Sequence, residues 1–283
     1  MHNAKYITHE GKSIDFNIKG GNFTLNPFPL RSFAVEPQVL NNQVSGFLSG
    51  NTTSYPVEFG VVGNSVRETA DNYDYLLSFF EDDIEAVSPG TLVVNGYSLK
   101  CYINGITPII SMRKGKTFTA TVTTENPMWY KELSTFVFTP EMSFIQNTPS
   151  APAVKPIDYP HDYPYDYGTN QESKTINNKA LRASHFRLII EGYVSNPLIT
   201  IGDHMYSVAV EVPELSLLII DSREETVTLV DENGSRTNAF DKRNRESNVF
   251  QKIPSGKSEV LYKNISKFYL TPIEERRFPP WKS

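Results

Sequence analysis

Thr69-Ala-Asp71-Asn-Tyr73-Asp-Tyr-Leu76-Leu77-Ser-Phe-Phe80-Glu81-Asp82-Asp83-Ile84-Glu85-Ala-Val87 carries the one helical rhythm in a chain otherwise patterned for strands. Tyr73, Leu76, Leu77, Phe80 and Ile84 recur at intervals of three and four, the spacing that stacks side chains on one helical face. The pattern predicts an amphipathic helix with Leu76, Leu77 and Phe80 buried, Thr69 or Asp71 as its N-cap, and Pro89-Gly90 as its stop. Glu81, Asp82, Asp83 and Glu85 crowd the C-terminal end, where the helix dipole favours cations. The sequence therefore calls either for compensation from outside the helix or for a solvated, exposed acidic face.

Around this helix, from Tyr6 to Val122, short runs of β-branched and aromatic residues alternate with Gly, Asn and Pro. Phe33-Ala-Val35, Val57-Glu-Phe59, Leu92-Val-Val94 and Phe118-Thr-Ala-Thr-Val122 read as strands. The prolines Pro149, Pro152, Pro156 and Pro160 then mark a stretch that cannot build a core of its own. Beyond it come longer strand patterns: Phe186 to Ile190, Leu198 to Ile201, Met205 to Val210, Leu215 to Ile220 and Val227 to Val230, without helical period. Asn233-Gly234 has the composition of a tight hairpin turn. The expected architecture is mainly β: an N-terminal β-barrel or sandwich-like domain with one helix over residues 1–135, a proline-rich linker over 136–158, and an antiparallel β-sandwich over 159–283. Within the joint, residues 146–167 are expected to form an ordered arm whose Tyr159, Tyr163, Tyr165 and Tyr167 pack on the second domain.

The chain has 283 residues, with 27 Lys+Arg against 32 Asp+Glu and a net charge of −5, which disfavours a nucleic-acid binder held by phosphate contacts. Cys101 is the single cysteine, so the fold must stand without an intrachain disulfide or a cysteine-rich zinc site. Met1 to Tyr6 lacks the apolar run of a signal peptide and no apolar stretch reaches membrane-spanning length, so assembly in a cytoplasm and no membrane partner are expected.

Catalytic and metal motifs fail on inspection. Asp158, His161, Asp162 and Asp166 could be read as a metal site, but Pro160 and Pro164 impose an extended path in which groups four apart diverge. A packed aromatic arm is the better account. Pro254-Ser-Gly256-Lys257-Ser258 ends like a phosphate loop, yet Gln251 stands where its first glycine belongs. Gly63-Asn-Ser65 and Gly96-Tyr-Ser98 lack the second glycine of a hydrolase elbow, Arg67 and Lys100 standing there instead. The acid pairs Asp82/Asp83, Glu224/Glu225 and Glu274/Glu275 read as solvated edges, although a pair assembled from distant positions stays open. His2, His9, His161, His185 and His204 are scattered. No catalytic, cofactor-binding or metal residue is assigned, and no cofactor.

Several features in order along the chain carry a resemblance. They are Pro127-Met-Trp129-Tyr130, the run Tyr159-Pro-His-Asp-Tyr163-Pro-Tyr-Asp-Tyr167, and Gly192-Tyr-Val-Ser-Asn196-Pro197 followed by Ile199-Thr-Ile201-Gly202. Leu218-Ile-Ile-Asp221, Asn238, Phe250-x-x-Ile-Pro-x-Gly256 and Arg276-Arg277-Phe-Pro-Pro-Trp281 continue them. Together they resemble the distal tail protein (Dit) family of long-tailed, non-contractile phages.

The resemblance implies a non-enzymatic structural protein of the virion tail tip. Its N-terminal domain would form the belt of a hexameric ring and its second domain would be a galectin-like sandwich. The implied partners are further copies of the chain, the tail tube protein, the tail-associated hub protein and receptor-binding or baseplate proteins, with DNA passing through a central channel. A lectin-like protein recognising host cell-wall carbohydrate is the alternative, and a cell-wall hydrolase the third. Sugar-binding galectin sites rest the sugar on a tryptophan, and the second domain has only Trp281, so the lectin site is expected to be absent.

Overall fold

The computed structural model describes residues 3–32, 37–47, 52–112, 115–139, 172–263 and 265–280, and the fold is mainly β with several antiparallel sheets and one α-helix. The tyrosine run, the arm expected over 146–167, Asp158, His161, Asp162, Asp166, Phe33-Ala-Val35 and Trp281 lie outside the described residues. Two compact units form, Met1–Lys131 with Glu275–Ser283 and Glu132–Glu274.

In the first unit, Ala4–Ile7 pairs antiparallel with Ser13–Phe16 on one side and Gly90–Val94 on the other. Asn95-Gly96 turns that last strand into Tyr97–Met112 with both residues at positive φ (51° and 79°), the geometry that a two-residue hairpin loop requires. Tyr97–Met112 then changes partner. Its first five residues face Gly90–Val94, whereas from Tyr102 onward it pairs with Gly115–Thr124, past irregularities at Asn104/Thr107 and Pro108/Ile110. Gly105, at φ 61°, sits in the first of them, where an extra residue bends a strand. Gly115–Thr124 pairs in turn with Thr53–Val62, and that strand with Phe23–Leu25. Asn17 stitches the seam: its N–H donates to Phe23 O (3.0 Å), while its side-chain amide donates to Leu25 O (2.9 Å) and accepts from Leu25 N (3.1 Å). An unpaired strand edge is thereby closed by one side chain.

The helix spans Val66–Glu85 and starts earlier than the apolar rhythm suggests. Its N-cap is Ser65, not Thr69 or Asp71, because Ser65-Val-Arg-Glu68 forms a capping pair. Ser65 Oγ accepts from Glu68 N (3.1 Å), and the Glu68 carboxylate accepts from Asn64 N (2.8 Å). Ser65→Ala is expected to lower the stability of the first unit by about 1 kcal/mol, measured by denaturant unfolding; an unchanged midpoint would remove the cap from the account. At the other end Ser88 N donates to Asp83 O, and Val87 takes a left-handed conformation (φ 49°) that ends the helix before Pro89 is reached.

Leu76 and Phe80 are buried as expected, and Leu77 is partly buried against the same core. Phe79 joins them, and Ile84 does not: it is exposed. The buried stripe runs through Thr69, Leu76, Phe80 and Asp83, so the interval of three after Phe80 brings a carboxylate to the inner face. Phe80 meets Tyr6 edge-on (5.3 Å between centroids) and Phe59 at 5.6 Å, and Phe59 stacks on Phe118 at 5.5 Å. Trp129 is fully buried in this core.

In the second unit, a six-stranded antiparallel sheet has the order Phe136–Phe138, Lys267–Arg276, His185–Glu191, Leu217–Asp221, Thr226–Val230, Arg236–Asn238. A four-stranded sheet has the order Glu172–Asn178, Gly256–Lys263, Leu198–Ile201, His204–Ser207. Alternate residues of the first sheet (Leu188, Ile190, Leu218, Ile220) and of the second (Ile199, Ile201, Val260, Tyr262) share one apolar core, so the two sheets form a sandwich. Phe138 stacks on Phe268 at 4.2 Å, with Tyr262 edge-on to both. Asn233-Gly234 lies in the hairpin connection between Thr226–Val230 and Arg236–Asn238, with Gly234 at positive φ (80°). In this loop, 231–235, Gly234 N donates to Asp231 O (3.0 Å) and Asp231 N to Ser235 O (3.0 Å), and Asp231 Oδ1 accepts in addition from Asn233 N (3.0 Å) and Ser235 N (2.8 Å), so a side chain reinforces the turn's backbone hydrogen bonds.

Candidate functional site

The acid pairs point apart, as adjacent residues must, but two of their members are not solvated. Asp82 stays near the surface, 3.3 Å from Lys12 Nζ, whereas Asp83 is buried. The first hairpin delivers its partners: Tyr6 Oη donates to Asp83 Oδ2 (2.5 Å), His9 N–H donates to Oδ1 (2.8 Å), and His9 Nδ1 lies 2.7 Å from the same oxygen. Gly90 packs against this cluster so closely that a Cβ would collide with the Asp83 carboxylate and the Tyr6 hydroxyl. Burial pushes the Tyr6 hydroxyl up, Cys101 and Asp83 adding to it, and burial likewise pushes the Cys101 thiol up to about 12. The cluster fastens the acidic helix end that the sequence left uncompensated. All of its groups face one another, which suits a clasp and leaves no place for a substrate.

Glu274 is the second buried acid, within reach of Leu181 N at 3.4 Å, and Glu224 is paired with Arg223 at the surface. His185 Nδ1 lies 3.3 Å from Ser222 Oγ, but that hydroxyl is fully buried and accepts from Phe186 N, so it is no nucleophile. His204 Nε2 lies 2.8 Å from Asn248 O. His2 and His161 lie outside the described residues. Among the described residues no three His, Cys, Asp or Glu side chains gather as metal donors. The loop before Gly256 opens a strand and not the helix that a phosphate loop needs, and Pro254 O accepts from Asn178 Nδ2. Ser65 is occupied as a helix cap and Ser98 lies in a strand. Trp129, the tryptophan of the described residues, is buried and offers no sugar platform.

The second unit is laced by ion pairs instead. Arg187 donates through Nε and Nη2 to Asp221 (3.1 Å each) and through Nη1 to Glu132 (2.6 Å). Burial alone would lower the Arg187 pKa, but the two carboxylates outweigh it and raise it. Hydrogen bonds from Lys267 and Tyr269 hold Glu191 below its usual range.

The described residues also expose an apolar ribbon. Pro37–Leu40 and Gln43–Phe47 form a two-stranded hairpin of their own, turned by Asn41-Asn42 with both φ values positive. Residues 37–47 hold no charged side chain, and Val39, Leu40 and Val44 are 61%, 65% and 58% exposed. Sequence reading overlooked this hairpin, whose signal was the pair Asn41-Asn42 between Val39-Leu40 and Val44.

No family model matches this sequence, and neither does any curated protein. Solved structures do. A chain of the phage P2 baseplate in its activated conformation with Ca is 17% identical with a TM-score of 0.58, over 99% of this chain and 100% of that chain. The same figures hold for the phage p2 baseplate in its activated conformation with Sr. The SPP1 Dit protein, described as a paradigm of the hub of the adsorption apparatus in phages infecting Gram-positive bacteria, is 11% identical with a TM-score of 0.56, over 98% and 99%. These likenesses are ones of fold, and along nearly its whole length the chain has a Dit-like, mainly β fold.

Proposed function

We propose that the protein is a structural hub of a phage or prophage tail tip. Six copies close into a ring through the first unit, between the tail tube and the tail-associated hub protein, and the ring leaves a channel for DNA. The second unit offers its sheets to receptor-binding or baseplate proteins. Assembly takes place in the host cytoplasm, and the protein's work is geometry, without catalysis. The observation that carries this reading is that both units together, and not one common sandwich alone, align with chains of tail-tip assemblies over 98% to 99% of this sequence. In this proposal the belt is the unit Met1–Lys131 with Glu275–Ser283; Phe136–Phe138, at the start of the expected linker, is instead a strand of the sandwich. A net charge of −5 is compatible with a channel wall that does not grip passing DNA.

Closed symmetry is the common route from one chain to a channel, because contacts that close leave no sticky ends. Native mass spectrometry of the intact protein is expected to give six times the single-chain mass of 32.0 kDa, alone or on addition of a tail-tube partner. A single-chain mass under both conditions, up to high concentration, would overturn the reading.

A further inference from the structure

We infer that residues 275–280 are a strap that completes the first unit from beyond the sandwich in sequence, so that this unit becomes competent to associate only after the whole of Glu132–Glu274 has been synthesised. The strap stands on contacts within the first unit; its consequence for assembly rests on the ring proposed above.

The first unit is discontinuous. Its main part is Met1–Lys131, and the chain returns to it with Glu275–Ser283. The strand Lys267–Arg276 makes the return: from Lys267 to Ile273 it pairs with His185–Glu191 inside the sandwich, and beyond Glu274 it belongs to the first unit.

The returning segment grips the turn Asn95-Gly96. Asn95 is 4% exposed, so its polar groups need partners inside the protein. Its backbone N–H donates to Asn3 O (3.0 Å), and its side-chain amide donates to Pro280 O (2.8 Å). One residue thus fastens both Asn3 and Pro280 to the same hairpin. Beside it, the Arg276 guanidinium lies 5.2 Å from the centre of the Tyr97 ring, which also has Lys131 Nζ at 5.6 Å and is itself buried. Pro279 is buried as well.

This hairpin is central to the first unit, because Gly90–Val94 lies between Ala4–Ile7 and Tyr97–Met112. The Asp83 cluster packs on Gly90 at one end of that strand, and the strap holds Asn95 just past the other. Without residues 275–280 a buried amide loses its acceptor and a buried ring loses a cation, both at a place where the sheet has strands on each side.

Domains fold as units, the N-terminal one first during synthesis. Here the segment that completes the first unit is made after the second unit, which reverses that order. A ring built from head-to-tail contacts incorporates any copy that presents both surfaces, whether or not the rest of its chain is finished. Completion by a late segment excludes unfinished copies, since the belt forms only on chains that already hold a whole sandwich sequence.

Hydrogen exchange of the full chain, read by mass spectrometry, tests the strap. Asn95→Gly removes the side-chain donor yet keeps the positive φ and the N–H to Asn3 O, and Arg276→Ala removes the cation over Tyr97. In the double variant, exchange in Gly90–Cys101 is expected to quicken about tenfold, as for one lost buried hydrogen bond, while Leu198–Ile201 and Gly256–Lys263 of the sandwich keep wild-type protection. Unchanged protection of Gly90–Cys101 overturns the strap, and so does an equal loss in both units, which would mean general destabilisation. A chain stopped after Glu274 tests the consequence. Its sandwich is expected to stay protected and its first unit to lose protection, and native mass spectrometry is expected to give the single-chain mass under conditions where the intact chain assembles. Assembly of the shortened chain as readily as the intact one overturns the delay. If the intact chain itself stays single, the ring falls, and exchange in Gly90–Cys101 still decides the strap.

Discussion

Replacing Phe80 by alanine is expected to lower the unfolding free energy of the first unit by about 3–5 kcal/mol, the range for deleting a fully buried aromatic side chain. Phe80 is 0% exposed and lies between Tyr6 and Phe59, rings carried by the strands Ala4–Ile7 and Thr53–Val62, which are not neighbours in the sheet. The loss has two parts. Transfer of the ring to water is one, and the other is the cavity left behind, which the sheet cannot fill because its register is fixed on both sides. The edge-on contact with Tyr6 adds roughly 0.5–1.5 kcal/mol beyond area. Denaturant unfolding followed by tryptophan fluorescence is a suitable measure, since Trp129 belongs to the same core. Phe80→Leu keeps much of the volume and is expected to cost less than half as much. A loss under 1 kcal/mol for the alanine variant would show that the helix does not key the core of the first unit.

How far such features could be read beforehand depends on whether a rule is local. The helix was legible because a three-and-four interval has one structural solution. Its start was missed because Ser65-Val-Arg-Glu68 begins about two turns ahead of Tyr73, the first apolar residue of the rhythm, and that pair is visible only if the cap is sought before the pattern begins. Two Asn-Gly pairs had different fates. Asn95-Gly96 closes a two-residue turn with both residues at positive φ, whereas Asn233-Gly234 belongs to the hairpin loop 231–235, in which Gly234 alone of the pair has positive φ and the Asp231 carboxylate competes for the N–H groups of Asn233 and Ser235. Dipeptide composition does not contain that competition. Asp83 was assigned to solvent by its chemistry, yet its position continues the buried stripe. No local rule supplies Tyr6 and His9, which come from more than seventy residues away. The exposed hairpin is harder still: its apolar residues stand out only once Val39, Leu40 and Val44 are seen to be exposed.

The last expected result concerns that buried carboxylate. Asp83→Leu should cost about 3–5 kcal/mol, as does removing one partner of a buried polar or ionic pair, because the hydroxyl and N–H groups aimed at it lose their acceptor. Tyr6 Oη is the most affected, for its whole ring is buried and no water replaces the carboxylate. His9 is partly exposed at 24%, so its ring can turn to solvent and lose less. Tyr6→Phe is the milder change, expected to cost about 1–2 kcal/mol, since Asp83 keeps both contacts from His9. The double variant then distinguishes a network from independent contacts. With Asp83 already gone the phenol is only an unpaired group, so removing it should cost nothing or restore stability, a coupling of at least 1 kcal/mol between the two sites. If the two losses simply add, the cluster is not a clasp, and the acidic end of the helix must be held by Lys12 and the packing of Gly90 alone.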